Sequence, residues 1–250
     1  MSDEKKEIQE TPKFSVALTE KLNEVSKALP VDFNKERFVQ NSLALLNDNP
    51  TLAKFSSNQI MGGLLKGAYM GCDFFNSECW LVPYKGQLQF QLSYKGEKKL
   101  AKKYATRPIL DVYAKVVRQG DQFVEKIVDG RPSVDFNPIS FNDGAIIGSF
   151  AVVLFKDGGL MYETMSLAEI EQAKKQGVGN TPAWNNFFQE MAKKTVLKRL
   201  CKNIDIDFEN DTQLGIYRED GIVENTEEHE VVDALGDDVI DTIGHEVEGE

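Results

Sequence analysis

The sequence predicts an α+β fold: N-terminal helices, a central and mainly antiparallel β-sheet with a β-hairpin, and a long basic helix. Three observations predict it. Apolar residues recur at helical steps over residues 14–70, the period drops to two over residues 87–94, and Thr181-Pro182 then opens the longest helical stretch. Residues 1–13 are polar and charged and are expected as a loose arm. A helix over 14–29 follows, with Leu18, Leu22, Val25 and Leu29 on one face, stopped by Pro30. Asn34 caps a helix over 34–47 that ends at Asn49-Pro50, and a third over 57–70 carries Ile60, Leu64 and Ala68 and stops at Gly71.

Residues 78–84 read as a strand and Lys85-Gly86 as a turn. In the next strand Leu88, Phe90, Leu92 and Tyr94 alternate with Gln87, Gln89, Gln91 and Ser93, which predicts one buried face and one open face lined by amides. A short helix over 97–104 precedes strands at 109–118, 123–128, 146–155 and 160–165. Ser166 and Glu169 form a capping box for a helix ending near Gly177, and the long helix runs over 182–202. Residues 14–210 are therefore expected as the folded core and 211–230 as an acidic linker. Within 231–250, Val232, Leu235, Val239 and Ile243 recur at helical steps, which predicts a small amphipathic segment for a partner, too short to fold firmly alone.

Composition narrows the function. The chain has 250 residues, 41% of them apolar and 10% aromatic, which excludes collagen-like and wholly disordered classes. The cysteines Cys72, Cys79 and Cys201 are odd in number and widely spaced, so they make no disulfide framework and point to a reducing, cytoplasmic setting. No apolar run reaches the roughly 18 residues of a membrane span.

The net charge of −11 conceals a polarity. Residues 203–250 hold 17 acids and one base, Arg218, while residues 1–202 hold 28 bases and 23 acids. Residues 85–118 contribute +7 and residues 191–202 contribute +5, so the net positive charge of residues 1–202 comes from two segments and the rest of that region is net negative.

Several chemistries have no residues to carry them. Both histidines, His229 and His245, lie in the acidic end, which excludes His-based catalysis in the core. Cys72 and Cys79 lack zinc spacing and read as buried thiols. No phosphate-cradling G-x-x-x-x-G-K-[S/T] occurs; Gly62, Gly63 and Gly67 read as helix-packing glycines. Asp111, Asp121, Asp129 and Asp135 would be the acids of a Mg²⁺-dependent nuclease, against the simpler reading that they solvate loops and strand edges. No metal ligand and no cofactor is expected, with Mg²⁺ at most a modulator.

Two basic elements remain. In the short helix Lys98 shares a face with Lys102, and Lys99 with Lys103; like charges one turn apart oppose each other by a few tenths of a kcal/mol, roughly, which an anion would offset. Lys95 precedes this helix, and Arg107, Lys115 and Arg118 follow it. In the long helix Lys194, Lys198 and Lys202 form a stripe, with Arg199 beside it, Lys193 on another face, and Trp184, Phe187, Phe188 and Met191 before it. Cations beside aromatics and amides suit a single nucleic-acid strand. Gln89, Gln91, Tyr94 and Phe123 are candidate base contacts, with core packing the alternative for Tyr94 and Phe123.

The stretches ECWLVPYKGQLQFQLSYKG (78–96) and PAWNNFFQEMAKKTVLKRLCK (182–202) resemble the signature segments of the RecT family of phage single-strand annealing proteins. The resemblance covers about residues 30–210. At the family's His-Pro element this chain has Phe136-Asn137-Pro138. The resemblance implies an ATP-independent recombinase, without covalent catalysis, that coats single-stranded DNA and pairs it with its complement. It implies a ring or helical filament of identical subunits in the cytoplasm of a bacterial host, a phage exonuclease beside it, and contact of the C-terminal segment with the host single-strand-binding protein. It assigns phosphate binding to Lys95, Lys98, Lys102 and Lys103 in the first motif and to Lys193, Lys194, Lys198, Arg199 and Lys202 in the second. A passive single-strand coat and a self-assembling structural protein are the alternatives, beside the nuclease.

Overall fold

A computed structural model describes residues 4–84, 86–176 and 182–223. Helix α1 (Glu4–Glu24) begins inside the stretch expected as a loose arm and buries Leu18 and Leu22. In α2 (Lys35–Asp48) the Asn34 side chain accepts from the Arg37 amide at 2.8 Å. In α3 (Ser57–Met70) Ser56 and Gln59 form a capping box, and Gly71 closes the helix in the left-handed region at φ 64°, where only glycine sits without strain. Side chains of Leu81 and Phe74 press on Gly63 and Gly67 where any Cβ would stand, so these are packing glycines.

The chain then pairs β1 (Cys79–Tyr84) with β2 (Gln87–Leu92) as an antiparallel hairpin. Helix α4 (Tyr94–Tyr104) follows, three residues longer at its start than the spacing predicts because Ser93 caps it, accepting from the amides of Lys95 and Gly96. Strands β3 (Ile109–Arg118), β6 (Ile146–Phe155) and β7 (Leu160–Ser166) form an antiparallel sheet with β6 central. Between β3 and β6, β4 (Gln122–Val128) and β5 (Arg131–Asn137) form a separate ribbon. The α+β class and the antiparallel pairing hold, but the strands divide into three sheets. The ribbon lies on the sheet by its aromatic face, Phe123 stacking at 4.8 Å and Phe136 at 4.9 Å from Phe150.

Helix α5 (Leu167–Gln176) starts at the expected Ser166–Glu169 box. The expected long helix is two: α6 (Pro182–Asn186) and α7 (Phe188–Lys202), separated at Phe187, whose φ of −130° leaves the helical region. Trp184 and Phe188 pack together at 5.8 Å across this break, under the sheet. A final helix, α8 (Asp211–Val223), occupies much of the stretch expected as a linker. It is docked, not spacer: Gln213 is fully buried and Ile216 nearly so, and Lys66 of α3 pairs with Glu219 at 2.6 Å. The acidity of this region obscures its buried side in the sequence. The remainder of the expected linker and the segment 231–250 lie outside the described residues.

Two main cores result. One joins α1–α3, the hairpin and α8; the other lies between α7 and the β3–β6–β7 sheet. Helix α4 is their common wall, giving Leu100 and Tyr104 to the first and Ala101 to the second.

Candidate nucleic-acid interface

The wall helix is held tightly. The α4 backbone at Gly96 presses on the Glu78 carbonyl so closely that an added Cβ would collide with it. Ser93 donates to the Ser77 carbonyl at 2.6 Å, tying the cap to the loop before the hairpin. Helix α7 lies directly against α4, so the two lysine-rich elements, distant in the sequence, share one seam.

Three contacts define this seam. Lys194 Nζ stands 5.3 Å from the centroid of the Tyr94 ring, a cation–π geometry. Lys198 and Lys202 lie within electrostatic reach of Glu97, and Lys98 within reach of Cys201. Glu97 itself is fully buried, with its Oε2 accepting from Tyr217 of α8 at 2.8 Å. Burial pushes its carboxyl up to about 7, Asp220 adding to the rise and Lys198, the Tyr217 hydrogen bond and Lys202 opposing it. A half-protonated carboxyl therefore sits beneath the lysines near neutral pH. In the sequence Glu97 passes as one charge among many. Its position on the stripe Glu97, Leu100, Ala101, Tyr104, the inward face of this helix, is the signal that could have found it.

The other predicted cations take varied places. Lys95 is half-buried in the first turn of α4. Lys102 bonds Asp111 of β3 at 3.2 Å, with Lys98 4.0 Å from the same carboxylate. Lys103 pairs with Asp32 at 2.7 Å, on the N-terminal flank, where Lys99 also meets Glu78 at 2.6 Å. Arg107 makes a two-pronged pair with Asp157 at 2.6 Å and covers the Phe155 ring. This guanidinium holds the Asp157 carboxyl down to about 2. Arg118 bonds the Gly144 carbonyl and Gln189. Lys193 pairs with Glu190 of its own helix, and Arg199 with Glu163 and Glu169. Lys115 is exposed on β3 and alternates with Ala114 and Val116, which pack toward α7, so the sheet separates it from the seam.

The candidate base contacts also differ from one another. Gln89 and Gln91 are half-buried, not an open amide face, because α8 covers part of β2. Tyr94 packs against the second core and under Lys194. Phe123 belongs to the aromatic cluster with Phe136 and Phe150.

The acids weighed as nuclease ligands are dispersed. Asp121 accepts from Asn142 and the amides of Arg118 and Ile139, stapling a loop, and its carboxyl is held low chiefly by the Asn142 bond. Asp135 pairs with Lys126 across the ribbon. Among the described residues no group of three or more His, Cys, Asp or Glu could hold a metal ion. The three thiols are buried and free of disulfides; burial pushes Cys201 up to about 12 and raises the other two further. No helix among the described residues is long and apolar enough to cross a membrane.

Comparison with known proteins gives concordant matches. The profile described as the RecT family matches residues 36–233, beyond the expected limit near 210 and through the whole of α8. Protein RecT of Escherichia coli (strain K12) is 26% identical over 203 residues, covering 74% of this chain and 72% of that protein. The uncharacterized protein YqaK of Bacillus subtilis (strain 168) is 25% identical over 202 residues, covering 79% of this chain and 66% of the relative.

Proposed function

We propose, from the premise that the chain belongs to the RecT family of recombination-related single-strand annealing proteins, that its α4–α7 face holds single-stranded DNA by the phosphates and pairs it with a complementary strand without ATP. One observation carries this reading: the two most basic segments of the sequence pack side by side, bringing Lys194 to Tyr94, Lys198 and Lys202 within reach of Glu97, and Lys98 within reach of Cys201. Lys95 and Lys102 flank them on the same helix.

The chemistry is that of holding, not of making bonds. A strand gripped by its backbone keeps its Watson–Crick edges turned outward for a partner, so lysines suit the task better than side chains that read base edges. Tyr94, packed against the second core, holds Lys194 over its ring within the seam. The absence of a phosphate-cradling loop from the sequence accords with pairing that needs no nucleotide hydrolysis. Each subunit would cover a few nucleotides, and identical neighbours in a ring or filament would continue the track.

The test mixes two complementary strands with the protein and no nucleotide. An annealer speeds duplex formation; a passive coat slows it and overturns the reading. Binding should weaken with salt, with a slope of log K against log salt of about −3 to −4 for about five phosphate contacts.

A further inference from the structure

Phe141 stands fully exposed in the loop between β5 and β6, on a backbone at φ 56° that bulky residues rarely adopt. Its ring adds nothing to the chain's own cores, while its backbone conformation costs stability. The turn that carries it is nevertheless braced. Asp121 accepts from the Ile139 amide at 3.0 Å and from the Asn142 side chain at 2.8 Å, and Asn142 in turn accepts from the Gly144 amide at 2.8 Å. These bonds hold the chain on both sides of Phe141, so a fixed turn presents the ring.

Arg118 joins this turn to α7. Its guanidinium donates to the Gly144 carbonyl at 2.7 Å and to Gln189 at 2.5 Å. Gln189 lies five residues before Lys194, about 7.5 Å along the helix axis. Tyr94 meets Lys194 and Glu97 lies within reach of Lys198, so α4 and α7 run in the same direction, and the turn stands at the end of the seam where both helices begin.

The surroundings of the ring decide what it meets. A protein partner is met by a contiguous apolar patch of roughly a few hundred Å². Here Ser140 and Asp143 are exposed beside the ring, and Ile139 leans back on Gly120, its Cδ1 3.1 Å from where a Cβ at that residue would stand. A single ring among polar groups offers a base a face to stack on, and stacking leaves the Watson–Crick edge of that base open for pairing.

We propose that Phe141 stacks on a base of the bound strand where it passes the N-terminal end of the α4–α7 seam, fixing the position of the strand on each subunit. This rests on the reading of that face as a single-strand site. The strained turn is then the cost of holding the ring away from the protein's own surface.

Binding of the full-length protein to oligo-dT and to an abasic strand of the same length tests the stacking, with Phe141→Ala, Phe141→Trp and Phe141→Gly beside the parent. The Ala variant should bind oligo-dT about 5- to 100-fold more weakly, and the Trp variant as tightly as the parent. On the abasic strand, which keeps the phosphates and lacks the bases, all four proteins should bind alike. Glycine relieves the strain at 141, so that variant should withstand at least as much urea as the parent while losing the same affinity as the Ala variant. An Ala variant within twofold of the parent on oligo-dT, an equal loss on both strands, or a Gly variant that unfolds markedly earlier overturns the proposal. An equal loss joined to weaker self-association in sedimentation without DNA assigns the ring to a second copy of the chain instead. A parent that binds neither strand overturns the single-strand reading itself, and the stacking with it.

Discussion

On one flank of α4 the lysines end on carboxylates from the N-terminal half, Lys99 on Glu78 and Lys103 on Asp32. On the other, lysines of α7 gather beside Tyr94 and over the buried Glu97. Both flanks read alike in the sequence, since the lysines of α4 and of α7 each recur one helical turn apart. The fold distinguishes them by what each row faces. The N-terminal row bridges α4 to its neighbours, in pairs at a partly exposed surface worth about 0–1 kcal/mol each. The α7 row concentrates positive charge above a carboxyl that burial keeps near its titration point. The lysines of one flank attach α4 to its neighbours, and those of the other gather near the buried Glu97.

The largest effect on this contrast should come from removing the helix that carries it. Gly96→Ala sets a Cβ against the Glu78 carbonyl, which cannot give way without moving the hairpin. It should cost about 3 kcal/mol or more in urea unfolding, so that both flanks fail together. Next is Lys198→Gln with Lys202→Gln, which should weaken single-strand binding about 10- to 100-fold at low salt and reduce the salt slope by about 1.4, with cooperative unfolding retained. Affinity within threefold of the parent would move the strand off α7.

Glu97→Gln sharpens the comparison through pH. The folded carboxyl titrates near 7, above the ordinary value of 4.5, so its favourable contribution is complete below about pH 4.5 and is lost as pH rises through 7. The parent should lose roughly 1–3 kcal/mol relative to the Gln variant between pH 5 and pH 8, measured by urea unfolding of both proteins. Parallel pH profiles would show that Glu97 is not the titrating group. The smallest effect belongs to the N-terminal row: Lys103→Gln breaks the Asp32 pair and should change DNA affinity less than about threefold, because that charge lies on the flank of α4 away from α7. A loss matching that of the α7 variant would erase the distinction between the flanks.

Much of the fold is legible where local chemistry decides structure. The bounds of α3 follow from Ser56 and Gly71, and the start of α5 from Ser166, because caps are made by residues adjacent in sequence. Strand β5 is not legible: Arg131–Asn137 contains Pro132, Ser133 and Asp135 and buries little, so it has no clean alternation. Nor is the break at Phe187, since the apolar period runs through it and no helix-breaking residue marks it. At the candidate site, the residue types can be read but not their partners. Lys115 looks equivalent to Lys98 until the sheet comes between it and α7. Phe123 balances core against contact until Phe136 and Phe150 close around it.

The docking of α8 has a consequence for biosynthesis. Asp220 accepts from the Leu92 amide, and Tyr217 donates to Glu97, across sequence separations of 128 and 120 residues. The first core therefore stays open at one side until nearly all of the described chain has emerged from the ribosome. Contacts this remote slow the final closure. A nascent chain stalled near Phe208 would present the uncovered sides of α3 and β2 to chaperones and proteases, and a gene cut there would yield an unfinished domain rather than a minimal one.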